Sequence, residues 1–238
     1  LGKKVLIADV AGNTADNAFA LSANELWPAY AWIGLLAYTV QIYYDFSGYS
    51  DMAIGLARLF GFHFPENFDN PYIARNFTDF WRRWHMSFGR WMREYLYYPL
   101  GGNRHGVLRG YFNLWVVFLF SGLWHGAQWT FILWGVWHGV FMTLEKLGLE
   151  KITRRFPVVV QVGITLLLVT LSRVLFRADT LSQAGYYFQR LVSNEGCVPS
   201  LPLASITSNH ELFVIALGYL LCFWPLWPRA VRCYEWFR

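Results

Sequence analysis

Charge is what this sequence has least of. Only 15% of its 238 residues are Asp, Glu, Lys or Arg, against about 25% in an ordinary soluble domain. Between Gly110 and Leu144 there is none. Several uncharged runs approach the ~20 residues that cross a bilayer's hydrocarbon core, which excludes a soluble globular domain. Cysteine is equally scarce. Cys197, Cys222 and Cys233 are an odd number without metal-like spacing, so neither a disulfide framework nor a zinc site follows. No Gly-x-Ser-x-Gly elbow is present, and a covalent serine mechanism has no support. The start carries no signal-peptide pattern, and no internal repeat runs through the chain. Residues 1–238 are read as a single membrane domain, the C-terminal portion of a longer protein.

What fills the space is aromatic. Phe, Trp and Tyr make up 20% of the chain, with 13 tryptophans. The net charge of +5 does not point to nucleic acid, because the basic residues flank apolar runs and form no continuous face. They fit juxtamembrane positive charge.

Leu1 to Asn24 is short, amphipathic and interfacial. Leu26 to Tyr44 is a candidate span with Trp27, Trp32, Tyr43 and Tyr44 near its ends, as an aromatic belt requires. Asp45, Asp51 and Arg58 follow in an apolar setting where isolated charges are costly. Asp51 and Arg58, seven apart, share one helical face, so mutual or water-mediated neutralisation toward the protein interior is expected, with a direct role in substrate handling as the alternative. Pro65 to Phe77 is a loop. Phe77, Trp81, Trp84, Phe88, Trp91 and Tyr95 then recur at steps of three and four. That stripe predicts one amphipathic helix at the membrane interface, with Arg82, Arg83, Arg90 and Arg93 off the stripe and His85 on its edge.

Tyr111 to Leu144 is too long for one span. As a single helix it would run ~50 Å against a core of ~30 Å. A break is expected between Ser121-Gly122 and His125-Gly126. Basic flanks on both sides (Arg104 and Arg109, then Lys146, Lys151, Arg154 and Arg155) suit a segment that enters and returns. Val158 to Phe176 and Leu212 to Trp227 are further spans, the first with Arg173 and Arg177 at its far end, the second leading to Arg229, Arg232 and Arg238.

Two histidines sit in the uncharged stretch, each in a Trp-His-Gly triplet. An intramembrane histidine is a functional hypothesis in itself, and imidazole suits proton transfer near neutral pH. For His125, Gly126 removes bulk beside the ring, and Trp124 and Trp129 would wall out water. A hydrogen bond between helices is the structural alternative. His138 lies in a more regular run and would point about 140° away on an unbroken helix; helix packing is expected for it. His63 is expected at the surface. A metal held by His85, His125 and His138 lacks a supporting carboxylate or thiolate nearby.

"FTDFWRRWHMSFGRWMREYLYYPLGGNR" (Phe77 to Arg104) followed by "LFSGLWHGAQWTFILWGVWHG" (Leu119 to Gly139) resembles the membrane-bound O-acyltransferase (MBOAT) family, in the bacterial branch that O-acetylates exopolysaccharides such as alginate. "YYDFSGYSDMAIGLARLFGFHFPENFDNPY" (Tyr43 to Tyr72) and "FRA" (Phe176 to Ala178) are similar to the same branch. The resemblance implies an all-α integral membrane protein, a multi-span helical bundle with re-entrant or broken helices and an interfacial amphipathic helix, in the bacterial inner membrane. It implies acetyl transfer from acetyl-CoA toward hydroxyls of a polysaccharide, through a periplasmic acetyltransferase partner. The family's key histidine falls on His125, which would act as general base. His85 aligns where many eukaryotic relatives carry asparagine, and is a second candidate, for orienting the donor, binding a hydroxyl, stabilising the oxyanion, or structure alone. Arg82, Arg83, Arg90, Arg93 and Arg104 would attract CoA phosphates or anionic membrane lipids. Peptidoglycan O-acetylation and D-alanyl transfer to teichoic acid are sister activities, and a proton-coupled transporter is a reading from another class. A transporter would show further intramembrane charges or an inverted repeat, and neither is visible.

Overall fold

A computed structural model describes residues 1–195 and 201–226. Cys197, Cys233, Trp227 and the arginines at 229, 232 and 238 lie outside the described residues. Among those described there is no strand. The helices are α1 (Asp9–Phe19), α2 (Pro28–Leu59), α3 (Phe77–Arg83), α4 (Met86–Met92), α5 (Gly106–His125), α6 (Trp129–Leu144), α7 (Glu150–Thr153), α8 (Val158–Arg177), α9 (Leu181–Val192) and α10 (Asn209–Phe223). By length and composition α5 and α8 are able to cross a membrane, and α10 is a shorter apolar helix. The expected span at Leu26 to Tyr44 is the first part of the 32-residue α2, which continues through Asp45 and Asp51.

Local chemistry sets where these helices start. Pro28 opens α2 at a position whose N–H has no intrahelical partner. Asn76 caps α3, its side-chain oxygen accepting the Asp79 N–H at 2.7 Å. Ser208 and Glu211 cap α10 reciprocally.

The chain forms two compact bodies, residues 1–64 with 177–238, and residues 65–176. In the first, α1 meets α2 through small residues. Ala11, Ala15 and Ala18 are fully buried, and a Cβ on Gly34 would collide with Ala18. Tyr187 of α9 stacks on Phe19 at 4.2 Å and donates its hydroxyl to the Ala31 carbonyl at 2.9 Å. The expected Asp51–Arg58 neutralisation is replaced by longer-range pairs. Asp51 meets Lys3 at 2.7 Å and Asp45 meets Lys4 at 2.7 Å. The helical turn Lys3–Ala8 before α1 brings those ammonium groups alongside α2, closer than a partner two turns along the same helix.

The second body contains α3 to α7 and nearly all of α8. Here the single amphipathic helix expected from the aromatic stripe is two helices. The break falls at Trp84-His85, with His85 in the left-handed region (φ 47°, ψ 53°), a costly conformation for a residue with a side chain. Neighbouring chain overrides the local periodicity. The Asp69 N–H donates to the Arg83 carbonyl at 3.0 Å and the Met86 N–H to the Asn67 carbonyl at 2.9 Å. The loop expected at Pro65 to Phe77 thus takes up backbone groups that the helix leaves open.

The uncharged stretch does break. α5 ends at His125, residues 126–128 are extended or bent, and α6 begins at Trp129. The two helices return antiparallel, since Gly122 faces Phe131, Gly135 faces Phe118 and Gly139 faces Trp115. A methyl group on Gly122 or Gly135 would strike a backbone carbonyl of the opposite helix. Backbones pack this closely only where side chains are absent, as between helices in membranes.

Candidate active site

His125 is the last residue of α5, half-buried where the hairpin turns. Its imidazole is ringed by aromatics from four segments. Trp124 lies 4.8 Å away edge-on, Phe176 of α8 4.9 Å, Trp134 of α6 5.1 Å, and Phe88 of α4 6.2 Å. Such a collar excludes bulk water from most of the ring and leaves its nitrogens as the local polar groups.

Two details differ from the sequence reading. The buried wall residue is Trp134, 2% exposed, while the two expected walls are open to the surroundings, Trp129 at 69% and Trp124 at 55% although its ring touches His125. The space freed by Gly126 is occupied by the edge of the Phe131 ring, so the glycine admits protein there. Its φ of 168° is extended backbone open to any residue.

His85 reaches the same aromatic wall from the break between α3 and α4. It stacks on Phe88 at 5.0 Å and lies 6.5 Å from Trp124, the two rings that also flank His125. Burial pushes its imidazole down to about 4, so it is neutral at physiological pH. Its Nδ1 lies 3.2 Å from Asn67 Oδ1. The same oxygen accepts the Ser87 N–H at 3.1 Å and the Ser87 hydroxyl at 2.9 Å. The sequence reading did not single out Asn67.

His138 lies on the other side of Trp134 from the hairpin turn, deeper in the helix pair. It is 1% exposed, enclosed by Phe77, Trp81 and Trp134. Its Nε2 lies 3.2 Å from Ser172 Oγ. The Ser172 hydroxyl hydrogen goes to the Val169 carbonyl at 2.6 Å, so His138 Nε2–H is the donor. That is the helix-packing hydrogen bond expected for it. His63 is exposed.

A cavity of about 350 Å³ has a wall that includes Trp81, Phe88 and Ser121 but no histidine; it shares Phe88 with the two imidazoles. Ser121 is one turn before His125 on α5. Arg93, Tyr97 and Asn103 supply polar lining. The five arginines therefore separate. Arg82, Arg90, Arg93 and Arg104 are all exposed, and of these four Arg93 also lines the cavity. Arg83 is engaged by Asp79 at 2.8 Å and Asp69 at 3.6 Å.

Arg173 is the other residue the sequence reading passed over. Taken as the flank of a span, it is 2% exposed, with its guanidinium carbon 4.4 Å from the centre of the Trp84 ring. Its position within an apolar helix, one turn before Phe176, was the available signal.

The chain is similar to the probable alginate O-acetylases AlgI of Pseudomonas putida, 50% identical over 92% of this chain and 44% of the relative, and of Pseudomonas fluorescens, 46% identical over 94% and 45%. It is also similar to the peptidoglycan O-acetyltransferase of Helicobacter pylori, 44% identical over 82% and 38%. It thus spans less than half the length of these curated relatives. The model of the MBOAT, membrane-bound O-acyltransferase family matches residues 9–171. With that match, and with half-identical relatives over nearly its full length, this chain belongs to the membrane-bound O-acyltransferase family.

Proposed function

We propose that this chain carries the acyl-transfer centre of a bacterial inner-membrane O-acetyltransferase, which moves acetyl from acetyl-CoA toward hydroxyls of an exported, alginate-like polysaccharide. The observation that carries this reading is the convergence of His125 and His85 on the same Phe88 and Trp124 rings. Two separate motifs of the sequence meet there, one at a helix end and one at a strained turn.

The chemistry follows from the groups present. The acceptor's oxygen attacks the thioester carbonyl carbon while its proton passes to a neutral His125 nitrogen. The carbonyl π electrons move to oxygen, giving a tetrahedral oxyanion. When that collapses, the C–S bond breaks and the thiolate takes the proton back from His125. An ester and a free thiol result. The aromatic collar favours this over hydrolysis by limiting water. The cavity beside Phe88 and Ser121 suits the donor's slender arm, with Arg93 toward its phosphates. Arg82, Arg90 and Arg104 act at longer range, on the donor or on anionic lipid headgroups. The α5–α6 hairpin is the re-entrant element that brings His125 to depth, and α3–α4 lies at the interface. The immediate acceptor is a side chain of a periplasmic partner or the polymer itself.

The test is His125→Ala in the intact membrane protein, with acetyl content of the exported polymer measured by NMR. Loss of acetylation at unchanged membrane abundance is expected. Near-normal acetylation removes His125 from the role of base. Acetyl found on peptidoglycan instead of the exported polymer reassigns the acceptor and leaves the chemistry intact.

A further inference from the structure

Arg173 lies inside α8, an apolar helix long enough to cross a membrane. Arginine keeps its proton in proteins, and a cation removed from water is costly unless it is paired. Here it is not paired. Among the described residues Arg173 makes no ion pair, and its Nε and Nη2 have no hydrogen-bond acceptor. Its one evident partner among the described residues is the face of Trp84, a cation–π contact that strengthens when desolvated. That offsets only part of the cost.

The location explains what such a charge is for. Ser172, Arg173 and Phe176 occupy neighbouring positions on α8. Ser172 binds His138, and the Phe176 ring packs against His125. Arg173 stacks on Trp84, the residue directly before His85. The guanidinium therefore sits on the stretch of α8 that carries Phe176, against Trp84, and no carboxylate among the described residues pairs with it.

We propose that Arg173 is a positioning residue for acyl transfer, a buried uncompensated cation whose field stabilises the oxyanion that develops at His125 and whose stacking on Trp84 holds the His85 turn. This rests on the reading of His125 as general base. The negative charge exists only between attack on the carbonyl and departure of the thiolate, so a fixed cation lowers that barrier more than it strengthens donor binding. The cation also costs no reorganisation at the moment of reaction.

The charge and the shape are separable by substitution. Arg173→Met keeps an apolar stem against Trp84 and removes the charge. Arg173→Lys keeps the charge and loses the planar stack. Both are made in the intact membrane protein, with transfer from radiolabelled acetyl-CoA and thermal unfolding in detergent measured on the same preparations. In Arg173→Met the maximal transfer rate should drop by roughly one to three orders of magnitude, while KM for acetyl-CoA stays within about threefold of wild type. Its thermal midpoint should be unchanged or higher, because replacing an unpaired buried charge by an apolar side chain relieves its desolvation. Arg173→Lys should retain more activity than Arg173→Met. A merely structural arginine gives the opposite pattern, with activity and stability falling together and Met tolerated at least as well as Lys. That result, or Arg173→Met activity within about threefold of wild type, overturns the inference. Wild-type protein that transfers no acetyl from acetyl-CoA instead overturns the functional reading on which it rests.

Discussion

Asn67 Oδ1 faces His85 Nδ1 at 3.2 Å and accepts both the N–H and the hydroxyl of Ser87. Ser87 N–H is a donor only, so this side-chain atom must be the oxygen of Asn67. A neutral His85 therefore carries its proton on Nδ1 and offers Nε2 as an acceptor. The Asn67 contact thus fixes the tautomer and the orientation of the ring. Asn67→Ala should cut acetyl transfer by up to about 100-fold, the order of a misdirected acid–base group. Transfer rates per folded protein check this, and unchanged rates would free His85 from dependence on Asn67.

The same imidazole makes stability depend on pH. Its folded value near 4 lies below the ordinary 6.5, so the fold disfavours the protonated ring. The contribution is fully present above pH 6.5 and is lost as pH falls toward 4. Thermal midpoints measured across that window should decline less steeply in His85→Gln than in wild type. Equal slopes would place the ring in water.

His125 and His138 should part company when substituted. His138 is enclosed and bound to Ser172, so His138→Ala leaves a cavity and an unmet serine acceptor. Destabilisation of about 2 to 4 kcal/mol is expected, with transfer per folded molecule within a few-fold of wild type. His125→Ala should show the reverse, with activity lost and thermal midpoint nearly kept. Paired unfolding and transfer assays on the two variants separate these outcomes.

The hairpin gives a purely steric prediction. At Gly122 and Gly135 an added Cβ meets the opposite helix's backbone, which has no flexible end to move aside. Gly135→Val should cost more than the ~1 to 3 kcal/mol of ordinary overpacking. Low membrane abundance and a reduced thermal midpoint are the readouts. Gly163→Ala, at a glycine with open space around it, is the control that should fold normally.

Much of this was legible in the sequence. The uncharged stretch, its excess length and the polar interruption at Ser121 to Gly126 located the hairpin turn, because helix rise and the cost of buried charge act locally. The two Trp-His-Gly triplets separated by position, one at a helix end and one in a regular run. The aromatic stripe misled for a physical reason. Spacing from Phe77 to Tyr95 reports helical periodicity, but the break at His85 is imposed by backbone bonds from Asn67 and Asp69, which no local pattern encodes. Asp45 and Asp51 raised the same difficulty, since their partners Lys3 and Lys4 arrive through tertiary folding. Arg173 was visible as a charge near the end of an apolar run, where flank and buried cation look alike until the neighbouring helices are in place.

One stretch of α8 carries three attachments, with Ser172 to His138, Arg173 to Trp84 and Phe176 to His125. A helix is stiff along its axis, so sliding α8 by one turn, about 5.4 Å, would release all three together. A smaller shift would strain all three at once. The surroundings of His138, Trp84 and His125 thus share one stiff support, and a substitution that displaces this stretch of α8 is registered at all three.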